Sequence, residues 1–204
     1  MDVVLVHGIF NRGGIMKRLA RALEQRGHRC HVPSLKPCDG RGGLGLLAGK
    51  LADFIGERLP AAAPRVLVGF SMGALVARLY VQDLEGWRTT RALFSVCGPH
   101  AGTRHANYYF TQAAREMRPG SDFLRKLDEG VGRLAGIRIT SYWTPHDLMI
   151  RPVTSSQWAA GDVVCIPAFL HSLMPFDLRL HRDIADRLGH LTRPTQPGLA
   201  PDPL

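Results

Sequence analysis

The sequence has no apolar run long enough to cross a bilayer. A membrane-spanning helix needs about 18 to 20 consecutive apolar residues, and the apolar stretches of this 204-residue chain are all shorter. The chain begins with an acidic residue and an apolar strand and lacks the basic region of a signal peptide, so we expect none. We therefore expect a cytoplasmic protein, or a secreted one if a leader has been removed.

Cysteine motifs, aromatic residues and blocks of like charge are also scarce. The four cysteines, at positions 30, 38, 97 and 165, form no C-x-x-C pair and no metal-ligand spacing. Free thiols in a reducing compartment are therefore expected. Aromatic residues make up only 7% of the chain, and the 26 basic residues come in ones and twos. A base-stacking platform and a basic block are both missing, so we expect no nucleic-acid partner.

The chain does carry an ordinary globular composition and a net charge of +9. A solvated, arginine-rich surface explains this charge, and attraction to anionic lipid surfaces or acidic substrates is the alternative. The length suits one domain with a full core. We expect that domain to cover residues 1–190 and to be followed by a flexible, proline-rich tail over 191–204.

Short apolar runs bounded by glycine and proline alternate with segments of helical spacing. The runs predict strands over residues 3–6, 28–32, 65–69, 92–97, 137–143 and 163–166. The intervening segments predict helices over 15–26, 44–59, 74–84 and 178–188. This alternation is typical of an α/β fold, with a mostly parallel central sheet and helices on both faces.

One sequence motif points to chemistry. Gly69-Phe70-Ser71-Met72-Gly73 fits G-x-S-x-G, a serine turn between a strand and a helix. The pattern alone is weak because the chain has 22 glycines, and an N-cap serine in a glycine-rich turn is the alternative. The strand over 65–69 and the helix over 74–84 supply the required context. Ser71 would then stand at the carboxyl end of the sheet and the positive end of a helix.

These residues resemble the α/β-hydrolase fold and, within it, the small bacterial triacylglycerol lipases and esterases. Residues 4–9 look like the oxyanion strand of those lipases, and Gly-Pro-His-Ala-Gly-Thr at 98–103 matches a segment they carry after a later strand. Residues 113–121 and 147–152 are similar to two of their turns. The resemblance spans about residues 2–190. It implies a reduced version of the fold with a short cap over about 104–136, after the strand at 92–97.

A nucleophilic serine needs a histidine base and a carboxylate that orients it, and this fold arranges them in the order Ser, acid, His. Asp147 is the predicted acid because it lies just past the strand over 137–143. Of its rivals, Asp162 precedes a strand and Asp177 follows the histidine.

His171 is the predicted base because it comes after the last strand, in a His-x-Leu pattern like that of the family. His181 is interpreted as a surface residue of the last helix. His190 is interpreted as a charge beside that helix's C-terminal end.

An oxyanion hole needs two preorganised N–H donors. One belongs to Met72, which follows the nucleophile. The resemblance assigns the other to Ile9, with Phe10 as the alternative. His7 and His100 are expected to hold loops by structural hydrogen bonds rather than to catalyse.

The sequence therefore predicts a serine hydrolase that cleaves carboxylic esters, acyl-lipid or otherwise hydrophobic, through an acyl-enzyme on Ser71. A thioesterase or acyltransferase with the same triad is the alternative, and a binding protein that has lost the chemistry is a third. Cys97 lacks a glycine-flanked turn, which argues against a thiol nucleophile. We expect no cofactor, no metal and no obligate protein partner, but transient contact with lipid surfaces. The aromatic residues of the cap, at 108–110 and 123, either line an acyl groove or belong to the core.

Overall fold

A computed structural model describes residues 1–192, and within them strands and helices alternate along the chain. The strands are β1 (Asp2–Val6), β2 (Arg29–His31), β3 (Arg65–Phe70), β4 (Thr90–Val96), β5 (Arg138–Trp143) and β6 (Asp162–Cys165). The helices are α1 (Lys17–Glu24), α2 (Gly43–Arg58), α3 (Met72–Asp83), α4 (Gln112–Glu116), α5 (Asp122–Glu129) and α6 (Leu178–Thr192). The predicted order of strands and helices is confirmed. α6 includes the first two residues of the predicted tail, and the rest of that tail, 193–204, lies outside the described residues.

The six strands of residues 1–192 form one sheet in the order β2-β1-β3-β4-β5-β6. Every neighbouring pair is parallel. The carboxyl ends of the strands therefore meet at one edge. The strand order places β2 on one side of β1 and β3 on the other. This reversal of direction opens a crevice at the carboxyl ends of β1 and β3, where ligands of open α/β sheets bind.

Two apolar layers cover the sheet, one on each face. Successive side chains of a strand point to opposite faces, and in β1 Val4 and Val6 pack with α2 and α3 while Val3 and Leu5 pack with α1 and α6. The apolar stripes of these four helices are thereby buried. The predicted α/β architecture, with helices on both faces, is confirmed.

Residues 104–136, the predicted cap, contain α4, α5 and two short 3-10 turns. Two contacts join this segment to the loop before α2 and to the first turn of α2. The N–H of Ala113 donates to the carbonyl of Gly40 at 2.9 Å, and the Glu116 carboxylate accepts the N–H of Leu44 at 2.6 Å. The segment is therefore anchored beside the crevice, although its boundaries as a cap stay a prediction.

Two absences noted in the sequence have structural counterparts. All four cysteines are free thiols. Among residues 1–192, none of the helices combines the length and apolar character that a bilayer crossing requires.

Candidate active site

Ser71 occupies the turn between β3 and α3 in a conformation that side chains rarely adopt. Its φ of 55° and ψ of −124° lie outside the regions that non-glycine residues favour. The backbone is held there because the N–H of Ser71 donates to the carbonyl of Val96 at 2.8 Å. Strained residues of this kind cluster at functional sites.

The glycines on either side of this turn are required by space. A Cβ at Gly73 would lie 2.5 Å from the carbonyl oxygens of Val6 and His7. A Cβ at Gly69 would lie 2.5 Å from the carbonyl oxygen of Gly73. Because all of these obstacles are backbone atoms, a side chain at either position would push α3 away from the sheet.

The predicted acid and base lie in contact at the same edge of the sheet. His171 is the first residue of the short 3-10 helix His171–Phe176. Its Nδ1 lies 2.8 Å from Oδ2 of Asp147. The other carboxylate oxygen accepts the N–H groups of Met149 and Ile150, each at 2.8 Å. Both side chains are buried. The carboxylate is thus fixed on both sides by hydrogen bonds.

Electrostatics keep Asp147 ionised. Burial acts to raise the pKa of Asp147, but the hydrogen bond and charge of His171 and the two backbone N–H groups outweigh it, so the net pKa is lowered. An ionised carboxylate can only accept hydrogen bonds. Nδ1 of His171 is therefore the protonated nitrogen, and Nε2 is the one that can accept a proton.

Phe70 fixes the other side of the histidine. Its ring centroid lies 4.9 Å from that of His171, and Phe70 directly precedes Ser71. The imidazole is therefore packed against the strand end that carries the serine.

The alternative acids form ion pairs with arginines, and the alternative base His190 lies at the surface. Asp162 pairs with Arg187, and Asp177 pairs with Arg179 at 2.6 Å. His190 lies exposed in the last turn of α6, as predicted.

The prediction for His181 is wrong, because this residue is buried and its Nε2 lies 2.8 Å from the carbonyl of Pro175. His181 shares one helical stripe with Ile184, Ala185 and Leu188, all of them buried. That stripe is the signal that would have identified it.

The candidate oxyanion donors lie on two sides of the serine turn. A Cβ at Gly8 would come within 3.1 Å of the Ser71 Cβ, so the turn after β1 lies directly against the serine. The N–H of Phe10 is engaged, because it donates to the carbonyl of Cys38 at 2.7 Å. Within residues 1–192, the N–H groups of Ile9 and Met72 donate to no carbonyl. This leaves Ile9, rather than Phe10, as the candidate partner of Met72.

His7 fastens the turn after β1. Its Nε2 accepts the N–H of Leu35 at 2.9 Å, so the proton is on Nδ1, which lies 2.9 Å from the carbonyl of Gly8. Burial lowers the pKa of His7, which favours this neutral form. The bond to Leu35 joins the turn that carries Ile9 to the loop before α2.

A buried arginine in α3 organises a network that sequence reasoning missed. Arg78 is fully buried, and its guanidinium donates to Gln82 and Asp128, each at 2.7 Å, and to the carbonyl of Leu127 at 2.9 Å. It also lies 4.2 Å from the ring centre of Trp158. The arginine therefore ties the helix behind the serine to α5 and to the loop before β6. Its signal was a single charge inside the otherwise apolar run over 74–81.

His100 extends this network. Its ring stacks on Trp158 at 4.2 Å, Nδ1 lies 3.5 Å from Arg78, and Nε2 lies 2.7 Å from the Ser95 hydroxyl. Because arginine can only donate, Nδ1 accepts and Nε2 carries the proton. Burial and the charge of Arg78 lower the pKa of His100 well below its usual value. The neutral ring thus has a structural role, as expected.

A small apolar cavity of about 50 Å³ lies beside Ser71. Its walls come from the turn after β1, the predicted cap and the loop after β5, and include Ile9, Tyr109, Ala114, Met117 and Met149. A larger groove of about 760 Å³ lies at the opposite edge of the sheet, where Arg138 and Asp162 begin their strands. The small cavity is the one next to the candidate nucleophile.

Sequence comparison decides the family. A model of the alpha/beta hydrolase family matches residues 3–203. The chain belongs to this family. None of the curated proteins matches it in sequence.

Solved structures of two lipases share the fold at low sequence identity. Lipase B of Aspergillus fumigatus superposes with a TM-score of 0.75 at 15% identity, over 93% of this chain and 52% of the lipase. The chain thus spans about half of that lipase. A Bacillus licheniformis lipase superposes with a TM-score of 0.73 at 12% identity, over 92% of this chain and 91% of the other.

A pyrethroid hydrolase from Sphingobium faniae gives a TM-score of 0.62 at 19% identity, over 91% and 96% of the two chains. At these identities the likeness shows the fold. The resemblance to lipases and esterases that the motifs indicated is confirmed at that level.

Proposed function

We propose that this alpha/beta hydrolase cleaves carboxylic esters through an acyl-enzyme on Ser71. The observation that carries the proposal is the 2.8 Å hydrogen bond between His171 and Asp147. The histidine ring of this pair also packs on the residue before Ser71. A strained serine at a helix N-terminus beside such a pair is the arrangement that activates a hydroxyl nucleophile.

The reaction follows from the roles of these groups. Nε2 of His171 removes the hydroxyl proton as Oγ of Ser71 attacks the ester carbonyl, and the N–H groups of Ile9 and Met72 stabilise the resulting oxyanion. Collapse of this intermediate breaks the bond to the alcohol, which leaves with the proton from His171. Water then attacks the acyl-enzyme by the same steps and releases the acid. Asp147 stabilises the imidazolium in both halves.

The shape of the site favours an ester with one short part and one bulky apolar part. A cavity of about 50 Å³ has room for only a few heavy atoms, and we assign it to the acyl group. Three large apolar side chains, those of Phe10, Phe110 and Phe169, are exposed in loops that follow three different strands. The exposed fraction of Phe110 is 82%. Such a rim suits a hydrophobic alcohol group, and it supports transient contact with aggregated esters or lipid surfaces.

The cap aromatics lie in three settings: the exposed rim, the cavity wall and the core. Tyr108 and Phe110 are exposed, Tyr109 lines the cavity, and Phe123 packs against the core.

The chain-length profile tests this assignment. For p-nitrophenyl acetate, butyrate, hexanoate and octanoate, we expect kcat/KM to be highest for acetate or butyrate and to fall beyond them. Met117→Ala should move the maximum toward hexanoate, because Met117 is a buried side chain of the cavity wall. Leu124→Ala, at a buried position of α5 outside the cavity wall, is the control and should leave the profile in place.

A wild-type maximum at octanoate that neither variant moves would contradict the acyl assignment. A thioester of the favoured acyl group belongs in the same panel. Hydrolysis of the thioester at a much higher kcat/KM than the oxygen ester would favour the thioesterase alternative.

A further inference from the structure

Four non-glycine residues among 1–192 have positive φ: Phe10, Ser71, Glu85 and Cys97. Phe10 follows the candidate oxyanion donor Ile9, and Ser71 is the candidate nucleophile. Glu85 lies in an exposed turn. Cys97, with φ of 50°, follows β4 at the same edge of the sheet as the candidate site. The proposed reaction gives it no role, although strained residues of this kind tend to serve a site.

The thiol of Cys97 lies against the acid–base pair. Its Sγ, a carboxylate oxygen of Asp147 and a ring nitrogen of His171 all lie within 4.8 Å of one another. Cys97 is fully buried, and its N–H donates to the carbonyl of Tyr142 at 2.8 Å, which ties the residue to the end of β5. Asp147 lies in the loop that follows that strand. The backbone conformation of Cys97 therefore places its thiol beside the Asp147 carboxylate.

The thiol is a neutral donor in this position. Burial, the charge of the Asp147 carboxylate and a hydrogen bond to it raise the pKa of Cys97 well above its usual value. A protonated thiol is neither a nucleophile nor a metal ligand. It can, however, donate weakly to an oxygen. The carboxylate already accepts from His171, Met149 and Ile150, and the thiol reaches the same cluster from another strand.

We propose that Cys97 is a positioning residue, whose thiol holds the Asp147 carboxylate and moderates its negative charge toward His171. The proposal rests on the proposed function, because it assigns Asp147 to a working acid–base pair. It predicts that loss of the thiol makes the carboxylate a stronger partner for the imidazolium. The neutral, active form of His171 would then appear at higher pH.

The other side chains beside the Asp147–His171 pair are either apolar or already hydrogen-bonded elsewhere. Phe70 covers the face of the histidine ring with an apolar group, and Thr144, in the turn before the acid, donates its hydroxyl to the carbonyl of Ala168 at 2.6 Å. Among residues 1–192, Cys97 is the one other histidine, cysteine or carboxylate side chain that clusters with Asp147 and His171. A shift on changing Cys97 is therefore assignable to the thiol.

Three variants separate the thiol from the backbone. Cys97→Ala removes the donor, Cys97→Ser replaces it with a stronger one of similar size, and Cys97→Gly removes it while relieving the strain at positive φ. In Cys97→Ala and Cys97→Gly, we expect the rise of kcat/KM with pH to move to higher pH by about 0.5 unit, the size expected when one weak hydrogen bond to a carboxylate is lost. Cys97→Ser should keep the wild-type midpoint or lie below it.

A second measurement keeps this test separate from ester hydrolysis. The proton NMR signal of the His171 ring can be titrated in wild type and in the three variants, and its midpoint should move in the same pattern whether or not the chosen ester is cleaved. Shifted NMR midpoints without esterase activity would reject the proposed reaction and keep the role of the thiol.

Two results would overturn the role of Cys97. One is that wild type and all three variants share the same pH midpoint within about 0.1 unit. A difference of that size is well below the shift that a lost hydrogen bond produces. The other is a wild-type midpoint in Cys97→Gly alone, which would assign the effect to the backbone. If Cys97→Ala does not fold, the Ser and Gly variants carry the comparison.

Discussion

Ser71→Ala should lower kcat/KM for p-nitrophenyl butyrate by at least about 1000-fold while leaving the thermal unfolding midpoint nearly unchanged. The hydroxyl is the atom that would attack the ester, and no other group at the turn can replace it. The variant should fold because the backbone of the turn is held by the bond to Val96. His171→Ala should cause a loss of similar size, and the double variant should lose little more, because the two residues act as one unit.

The matched control is Ser156→Ala. Ser156 is also buried, and its hydroxyl has no hydrogen-bond partner among the described residues, so its removal should change kcat/KM by less than about 3-fold. If Ser71→Ala retained more than a tenth of wild-type activity, Ser71 would not be the nucleophile.

Arg78→Ala should destabilise the protein by about 2 to 5 kcal/mol, because it leaves a cavity and breaks buried hydrogen bonds. The substitution removes a fully buried charge with its donors, and it leaves Gln82 and the carbonyl of Leu127 without their arginine partner. Part of the lost energy is recovered because Asp128 is largely exposed and can be hydrated. Urea denaturation followed by circular dichroism measures the change.

Arg133→Ala is the control for this measurement, because Arg133 pairs with Asp83 at the surface. Exposed pairs contribute at most about 1 kcal/mol. If the two variants lost the same stability, the buried network would not hold α3 and α5 together as described.

The features that could be predicted from the sequence are those with a local signal. The strands and helices appear as apolar runs and helical spacing between glycines and prolines, and the sheet follows from their alternation. Ser71 is marked by its flanking glycines, which the backbone packing requires. Asp147 and His171 follow strands, and parallel strands bring such positions to one edge. The structure places these two in contact.

The features that could not be predicted depend on long-range contacts or on backbone atoms. The N–H groups of Ile9 and Met72 leave no trace in residue type, and only the engaged N–H of Phe10 separates the alternatives. Arg78 looks like a misplaced charge until α5 and Trp158 are placed around it. Cys97 lies far from Asp147 in sequence, and the pairing of β4 with β5 brings them together.

The most direct test of the central claim is covalent labelling with a fluorophosphonate, followed by peptide mass spectrometry. The phosphorus is attacked by an activated serine oxygen with loss of fluoride, so the label reports the nucleophile without assuming a substrate. The account predicts one adduct on wild type, located at Ser71, none on Ser71→Ala, and much slower labelling of His171→Ala. A folded wild type that stays unlabelled, or an adduct on another residue, would contradict it.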